Sequence, residues 1–283
     1  MILLAGLVLG VAAAAALWAG MQPVFSRPMF RRKNFRGVEL PTAVGLVVPI
    51  ATVATSAALL VLTTLGWRPN EPALAALGLT VTATLGFGLL GLMDDLAVDE
   101  GASGYRGHVR ALARGRLTAG SLKMVAGPAV AIIVVFPVAT DSTVRLLLDG
   151  ALVALAANLA NLLDRAPGRV VKVSLLATAA VVAATLADPA TMGAVVVAGA
   201  TLALLVGDLR ERLMLGDAGA NPVGAALGLA VVLSCAPITR TWVMVALLVL
   251  NLLSERFSFS SVIDRVAPLR GFDRWGRRAA PPS

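Results

Sequence analysis

Nine apolar runs follow one another along the chain, at residues 2–20, 43–66, 73–93, 122–140, 146–163, 172–187, 190–206, 222–237 and 240–254. Each is separated from the next by a short polar or Gly/Pro-containing stretch. A hydrocarbon core takes about 20 residues of helix to cross, fewer where the ends reach into the interface. The pattern therefore predicts an all-α fold, a polytopic integral membrane helix bundle of about nine transmembrane helices. The shortest runs, 190–206 and 222–237, read either as two spans or as one re-entrant pair. No basic region precedes the run at 2–20 and a basic cluster follows it, the reverse of a secretory signal, so it is expected to be the first membrane helix.

Composition supports that reading: 58% of residues are hydrophobic, 14% are charged and mean hydropathy is +0.86, which a water-exposed domain of 283 residues does not have. The basic residues set the orientation, because basic loops stay cytoplasmic. All of the Lys and Arg fall in loops 21–42, 94–123, 164–172 and 207–221 or in the tail after 254, except Arg68, Arg145 and Arg240. The N-terminus is therefore expected outside and the C-terminus in the cytoplasm. The net charge of +8 follows mainly from this topology and from anionic lipid head groups, with a further share available to gather an anionic substrate. A single cysteine, Cys235, excludes an intrachain disulfide. Trp18, Trp67 and Trp242 stand at segment ends, as interfacial aromatics do. Residues 1–254 read as one transmembrane bundle with cytoplasmic loops. Residues 255–283 read as a basic amphipathic cytoplasmic tail, interrupted by Pro268 and lying on the membrane.

Acidic groups recur at the cytoplasmic ends of these segments: Asp94 and Asp95 in GLLGLMDDL, Asp164 in NLANLLDRAPG, and Asp217 in LMLGDAGANP. Charges beside a bilayer are expensive, so converging carboxylates point to a site. Asp94 and Asp95 point about 100° apart on a helix, so one can face the bundle while the other reaches the loop. As carboxylates at a helix C-terminus they also need compensation. A pair like this suits phosphate chemistry, one acid orienting an acceptor and another holding a cation; solvated acids at an interfacial helix end are the alternative. Asn158, Asn161 and Asp164 share one helical stripe, open either to a ligand or to helix-to-helix hydrogen bonding. Around Asp217, glycines allow an anion to approach main-chain N–H groups at a helix N-terminus while the acid ligates Mg²⁺; a plain turn is the alternative.

In this order the motifs resemble the polyprenyl-phosphate N-acetylhexosamine-1-phosphate transferase superfamily, glycosyltransferase family 4. The family includes phospho-N-acetylmuramoyl-pentapeptide transferases and undecaprenyl-phosphate N-acetylglucosamine-1-phosphate transferases. GLMDDL is similar to its G-x-x-D-D pattern, NLANLLD to N-x-x-N-x-x-D, and MLGDAGANPVGAALG to M-G-D-x-G-S-x-x-x-G. ELPTAVGL resembles its P-T-x-G-G element, and Lys123 stands where the family has a basic residue before the fourth helix. The resemblance spans about residues 31 to 230 and implies transfer of a phospho-sugar from a nucleotide sugar, commonly a UDP-N-acetylhexosamine, to polyprenyl phosphate. It also implies Mg²⁺, with Mn²⁺ as the alternative ion, held by Asp217 and Asp94. Asp94, Asp95, Asp217 and Lys123 would be catalytic; Asn158, Asn161, Asp164, Pro41, Thr42 and Gly219 would bind substrate. The implied setting is a bacterial-type plasma membrane with the active face cytoplasmic, serving cell-envelope polymer synthesis. The partners would be the membrane, the lipid and the nucleotide sugar, with a homodimer allowed and no nucleic acid.

The departures are specific. Where the family often reads D-G-x-D-G, this chain has Asp164-Arg165-Ala166-Pro167-Gly168, so Pro167 replaces the second acid. Val44 stands for the first glycine of P-T-x-G-G and Gly45 for the second. The last loop lacks the family's histidine cluster, and the only histidine, His108, lies in a different loop. A catalytically silent relative that binds polyprenyl phosphate or scaffolds an envelope-biosynthesis complex is therefore the competing expectation. An ion-relay transporter fares worse, because the acids gather at one face and Asp149, at the other end, pairs with Arg145 at i+4 spacing.

Overall fold

The structure is a computed structural model that describes residues 1–67, 70–97, 114–115, 119–139 and 142–278. His108 and most of the basic stretch between residues 98 and 118 lie outside the described residues. The chain is helical almost throughout: α1 (Ile2–Phe25), α2 (Val47–Thr64), α3 (Glu71–Leu96), α4 (Ala119–Val135), α5 (Thr143–Leu163), α6 (Arg169–Ala184), α7 (Met192–Leu209), α8 (Asp217–Ser234), α9 (Pro237–Ser254), α10 (Phe259–Arg265) and α11 (Ala267–Arg274). Eight of these, counting short leading turns before α2 and α7 and the flanks of α4, are long and apolar enough to cross a membrane. By length and composition this is a multi-pass membrane protein. The run expected at 172–187 forms α6, whose 16 residues would rise about 24 Å, short of a core about 30 Å thick.

The two runs that read as weakest are separate helices and the most enclosed of the eight. The segment Pro189–Leu209 is 72% buried and α8 is 78% buried. The least apolar span is therefore the central one, because a helix surrounded by protein needs small residues for close packing more than it needs lipid-facing bulk. α8 lies between α3 and α5, with α9 against the outer side of α5 and α1 along α7. Among the described residues three core clusters result, one around Val47, Leu204, Leu215 and Val223, a second around Phe87, Val134, Leu152 and Leu229, and a smaller third around Leu59, Leu77 and Met192.

The loop after α1 holds a small antiparallel hairpin, β1 (Arg31–Lys33) with β2 (Glu39–Pro41), in the register Arg32 opposite Leu40. Asn34 builds its turn by accepting from the amides of Arg36 and Val38, and Gly37 supplies the left-handed residue. The hairpin leads residues 41–45 against the segment before α8. Met214 N donates to Pro41 O at 2.8 Å and Gly45 N to Leu215 O at 2.9 Å. At that crossing Gly45 and Gly219 meet backbone to backbone, and a Cβ on either would collide with the other. Away from this end of the bundle, Asp149 is buried between Arg145 and Arg240, the latter at 3.0 Å, joining α5 to α9.

The tail forms two short helices, α10 and α11, that meet at Val266, just before Pro268. Pro268 stands in the first turn of α11, a position where its missing N–H costs nothing, so the interruption between the two helices is also the start of the second. Beyond it the chain docks on the start of α6. Asp273 is buried and receives Arg169 through two nitrogens at 2.8 and 3.0 Å. Lys172 Nζ caps three carbonyls, of Phe272, Asp273 and Trp275, at 2.7–3.0 Å. Arg277 reaches Pro167 O at 3.0 Å and also contacts Asp273.

Candidate functional site

Four elements supply the acidic end of the bundle: the last turn of α3, the first turn of α4, the end of α5 and the start of α8. Asp94 and Asp95, adjacent on α3, both turn toward α8 but do different things. Asp95 is a cap. Its two carboxyl oxygens accept the amides of Asp217 at 3.0 Å and Ala218 at 2.9 Å, so a side chain from α3 closes the N-terminus of α8. Gly216 has φ +70° there, and a Cβ on it would meet the Asp95 carboxyl. The two charges at the end of α3, unfavourable to that helix's dipole, are thereby offset by the positive end of α8.

Asp94 lies with Asp217 around one ammonium group. Lys123 Nζ is 2.5 Å from Asp217 Oδ2 and 3.6 Å from Asp94 Oδ2. Asn161 Nδ2 donates to the same Asp217 oxygen at 3.0 Å. Gly91, one turn before Asp94, makes this possible, since a Cβ there would strike the backbone of Asp217. Asp94, Lys123, Asn161 and Asp217 thus converge from four separated points of the chain, and all four are partly exposed at this end.

Asp164 ends α5 as its C-cap. Burial, then the charges of Asp208, Asp217 and Asp95, push its carboxyl well above the ordinary carboxylate range. Asp208 is an acid that the sequence reading passed over. It is buried at the end of α7 and accepts the Gly168 amide at 2.8 Å, pinning the turn between α5 and α6. Its signal was the same as that of its neighbours, an acid closing an apolar run in LLVGDL.

Several sequence expectations find other partners. Asn158, expected beside Asn161 in a substrate pocket, instead donates to Asn251 Oδ1 on α9 at 2.6 Å, the helix-to-helix alternative. The α8 N-terminus is not open to an anion: Asp95 takes its first two amides, and Gly219 and Ala220 donate to Gly216 O. Gly219 is a packing glycine against Gly45. Pro41 and Thr42 are held by their backbone, Thr42 N donating to Phe30 O at 2.7 Å. Asp95 is a positioning group for α8, with its oxygens committed to amides.

Among the described residues no three His, Cys, Asp or Glu side chains gather as a metal-holding group. The Asp94–Asp217 pair, with Asn161 beside it, still suits a hard cation such as Mg²⁺, which takes one or two protein carboxylates and completes its shell with water and substrate phosphate. No protein-family model matches this chain, and no curated protein matches it.

Proposed function

We infer that the protein is a Mg²⁺-dependent phosphoglycosyl transferase of the polyprenyl-phosphate N-acetylhexosamine-1-phosphate transferase type. It would move a phospho-sugar from a nucleotide sugar, with a UDP-N-acetylhexosamine the leading donor, to polyprenyl phosphate at the cytoplasmic membrane face. The observation that carries this reading is the meeting of Asp94, Lys123, Asn161 and Asp217 at one end of a membrane bundle. Each belongs to a segment whose sequence resembles a motif of that superfamily.

The chemistry joins two anions: a lipid phosphate oxygen forms a bond to the sugar-bearing phosphorus as the bond to the nucleoside monophosphate breaks. Mg²⁺ held by Asp94 and Asp217 would neutralise charge on the diphosphate and on the departing phosphate. Lys123 places a positive charge between the carboxylates, where it can pass to a phosphate oxygen and lower the repulsion between the reacting anions. Asn161 fixes the orientation of Asp217, and Asp95 fixes the helix that carries it. Asp94, which accepts no backbone amide among the described residues, is the group available to orient the acceptor.

The test is release of nucleoside monophosphate by the purified full chain with undecaprenyl phosphate, Mg²⁺ and a panel of UDP-sugars, with Asp217→Asn as the blank. Release that the variant lacks supports the transferase. Silence across the panel, with undecaprenyl phosphate still bound, moves the reading to a lipid-phosphate binder without turnover. One observation favours that second reading: both carboxyl oxygens of Asp95 are engaged by the amides of Asp217 and Ala218, which makes one acid of the Asp-Asp pair a helix cap.

A further inference from the structure

A groove of about 710 Å³ opens between the ends of α1 and α7; Trp18, Gln22, Pro23, Ser26, Pro41 and Arg212 are among its walls. None of Asp94, Asp95, Lys123, Asp164 or Asp217 lines it. Its composition changes along its length. Trp18 and the α7 side are apolar, while Ser26, eight residues further along α1 and so about 12 Å away, and Arg212 make the other end polar.

Among the described residues the charge at that end is uncompensated. Arg212 is exposed, and its guanidinium makes no hydrogen bond or ion pair among the described residues. The two acids of its own stretch are committed elsewhere. Asp208 accepts the Gly168 amide at 2.8 Å, and Glu211 is held by Arg36 at 3.2 Å and Asn34 at 2.7 Å. Ser26 donates to Pro23 O at 2.8 Å, which leaves the Gln22 amide as a further donor with no partner among the described residues. An arginine fork with uncharged donors, at the interfacial end of an apolar channel, matches a phosphodiester on acyl chains.

We propose that this groove binds an anionic phospholipid of the surrounding bilayer, with its phosphate at Arg212 and an acyl chain along Trp18. The inference needs only that the bundle sits in a membrane and is independent of the transferase reading. The phosphate is recognised as part of a lipid, because the guanidinium and the apolar wall belong to one continuous groove.

The experiment uses the full chain in nanodiscs containing brominated phosphatidylglycerol or brominated phosphatidylcholine, read by tryptophan quenching. Trp18→Phe isolates the signal from Trp18. Phosphatidylglycerol should be preferred at Trp18 by about fivefold, the size expected for one cation near the interface. The preference should fall to near unity in Arg212→Gln and return in Arg212→Lys, with thermal melting unchanged in both because the Arg212 side chain has no partner among the described residues. Full preference in Arg212→Gln would overturn the proposal. Displacement of the brominated lipid by equimolar undecaprenyl phosphate would overturn it too, assigning the groove to a prenyl lipid. Displacement by millimolar inorganic phosphate would reduce it to a soluble-anion site.

Discussion

Asp94 and Asp95 are neighbours with the same chemistry and opposite consequences. Asp95 satisfies two amides of α8, so Asp95→Ala should cost about 0.5–2 kcal/mol, the range for losing a helix cap. Thermal melting of the purified protein would register that loss. Asp94 faces Lys123 at 3.6 Å and is about one-third exposed, so Asp94→Asn should shift melting by less than about 1 kcal/mol while removing turnover in the nucleotide-release assay. If both variants melt alike and both retain turnover, the division of labour between them is wrong. The acids themselves were visible in the sequence as charges closing apolar runs. Which of them serves a helix and which stays available was not, because a 100° rotation says only that two neighbours differ. The answer came from α8, 122 residues away from Asp95.

At the scale of elements, the crossing of residues 41–45 over α8 depends on Gly45 and Gly219. Gly219→Ala puts a methyl group into the backbone of Gly45, and overpacking of this kind costs about 1–3 kcal/mol. A drop in the yield of monodisperse protein and in melting temperature is the expected result; an unaffected Gly219→Ala would mean that the two segments can separate freely. The α5–α9 contact through Asn158 and Asn251 is a smaller matter. Asn251→Leu should lower stability by about 0.6–1 kcal/mol, as interhelical hydrogen bonds in membranes do, and leave turnover in place, since Asn158 belongs to that contact. Periodicity placed Asn158, Asn161 and Asp164 on one face of α5 correctly as a stripe. A stripe that drifts about 60° around the helix at each three-residue step meets two neighbours, and here Asn158 meets α9 while Asn161 meets α8.

For the whole molecule, the C-terminal segment acts as a strap over the start of α6. Burial pushes the Asp273 carboxyl up, but hydrogen bonding from Arg169 and the charges of Arg169, Arg277 and Lys172 outweigh it and hold the group below its ordinary value. A carboxyl depressed in the folded state contributes stability above the unfolded value, about 3.9, and loses it as pH falls through the lower folded one. Strap docking should therefore be intact at neutral pH and fail below about pH 4, seen as rapid hydrogen exchange across residues 267–278. At neutral pH, Asp273→Asn should imitate the acid state, with faster tryptic cleavage at Arg270 and Arg274. Equal protection in the variant would show that the Arg169 pair is dispensable.

The sequence by itself determined the class of this protein, because lipid solvation acts on each segment separately: apolar length and composition report helices able to span a membrane without knowledge of their neighbours. It also picked out acids at segment ends, since each such charge is anomalous in its own run. Tertiary structure alone decided the rest. Enclosure of α8 by α3 and α5 explains why the least apolar span is central, and no single run carries that information. The hairpin at 31–41 is too short to show a period, and the strap depends on Asp273 meeting Arg169 across 104 residues. Site and cap were separated by contacts between distant segments, and those exist only once the helices have packed.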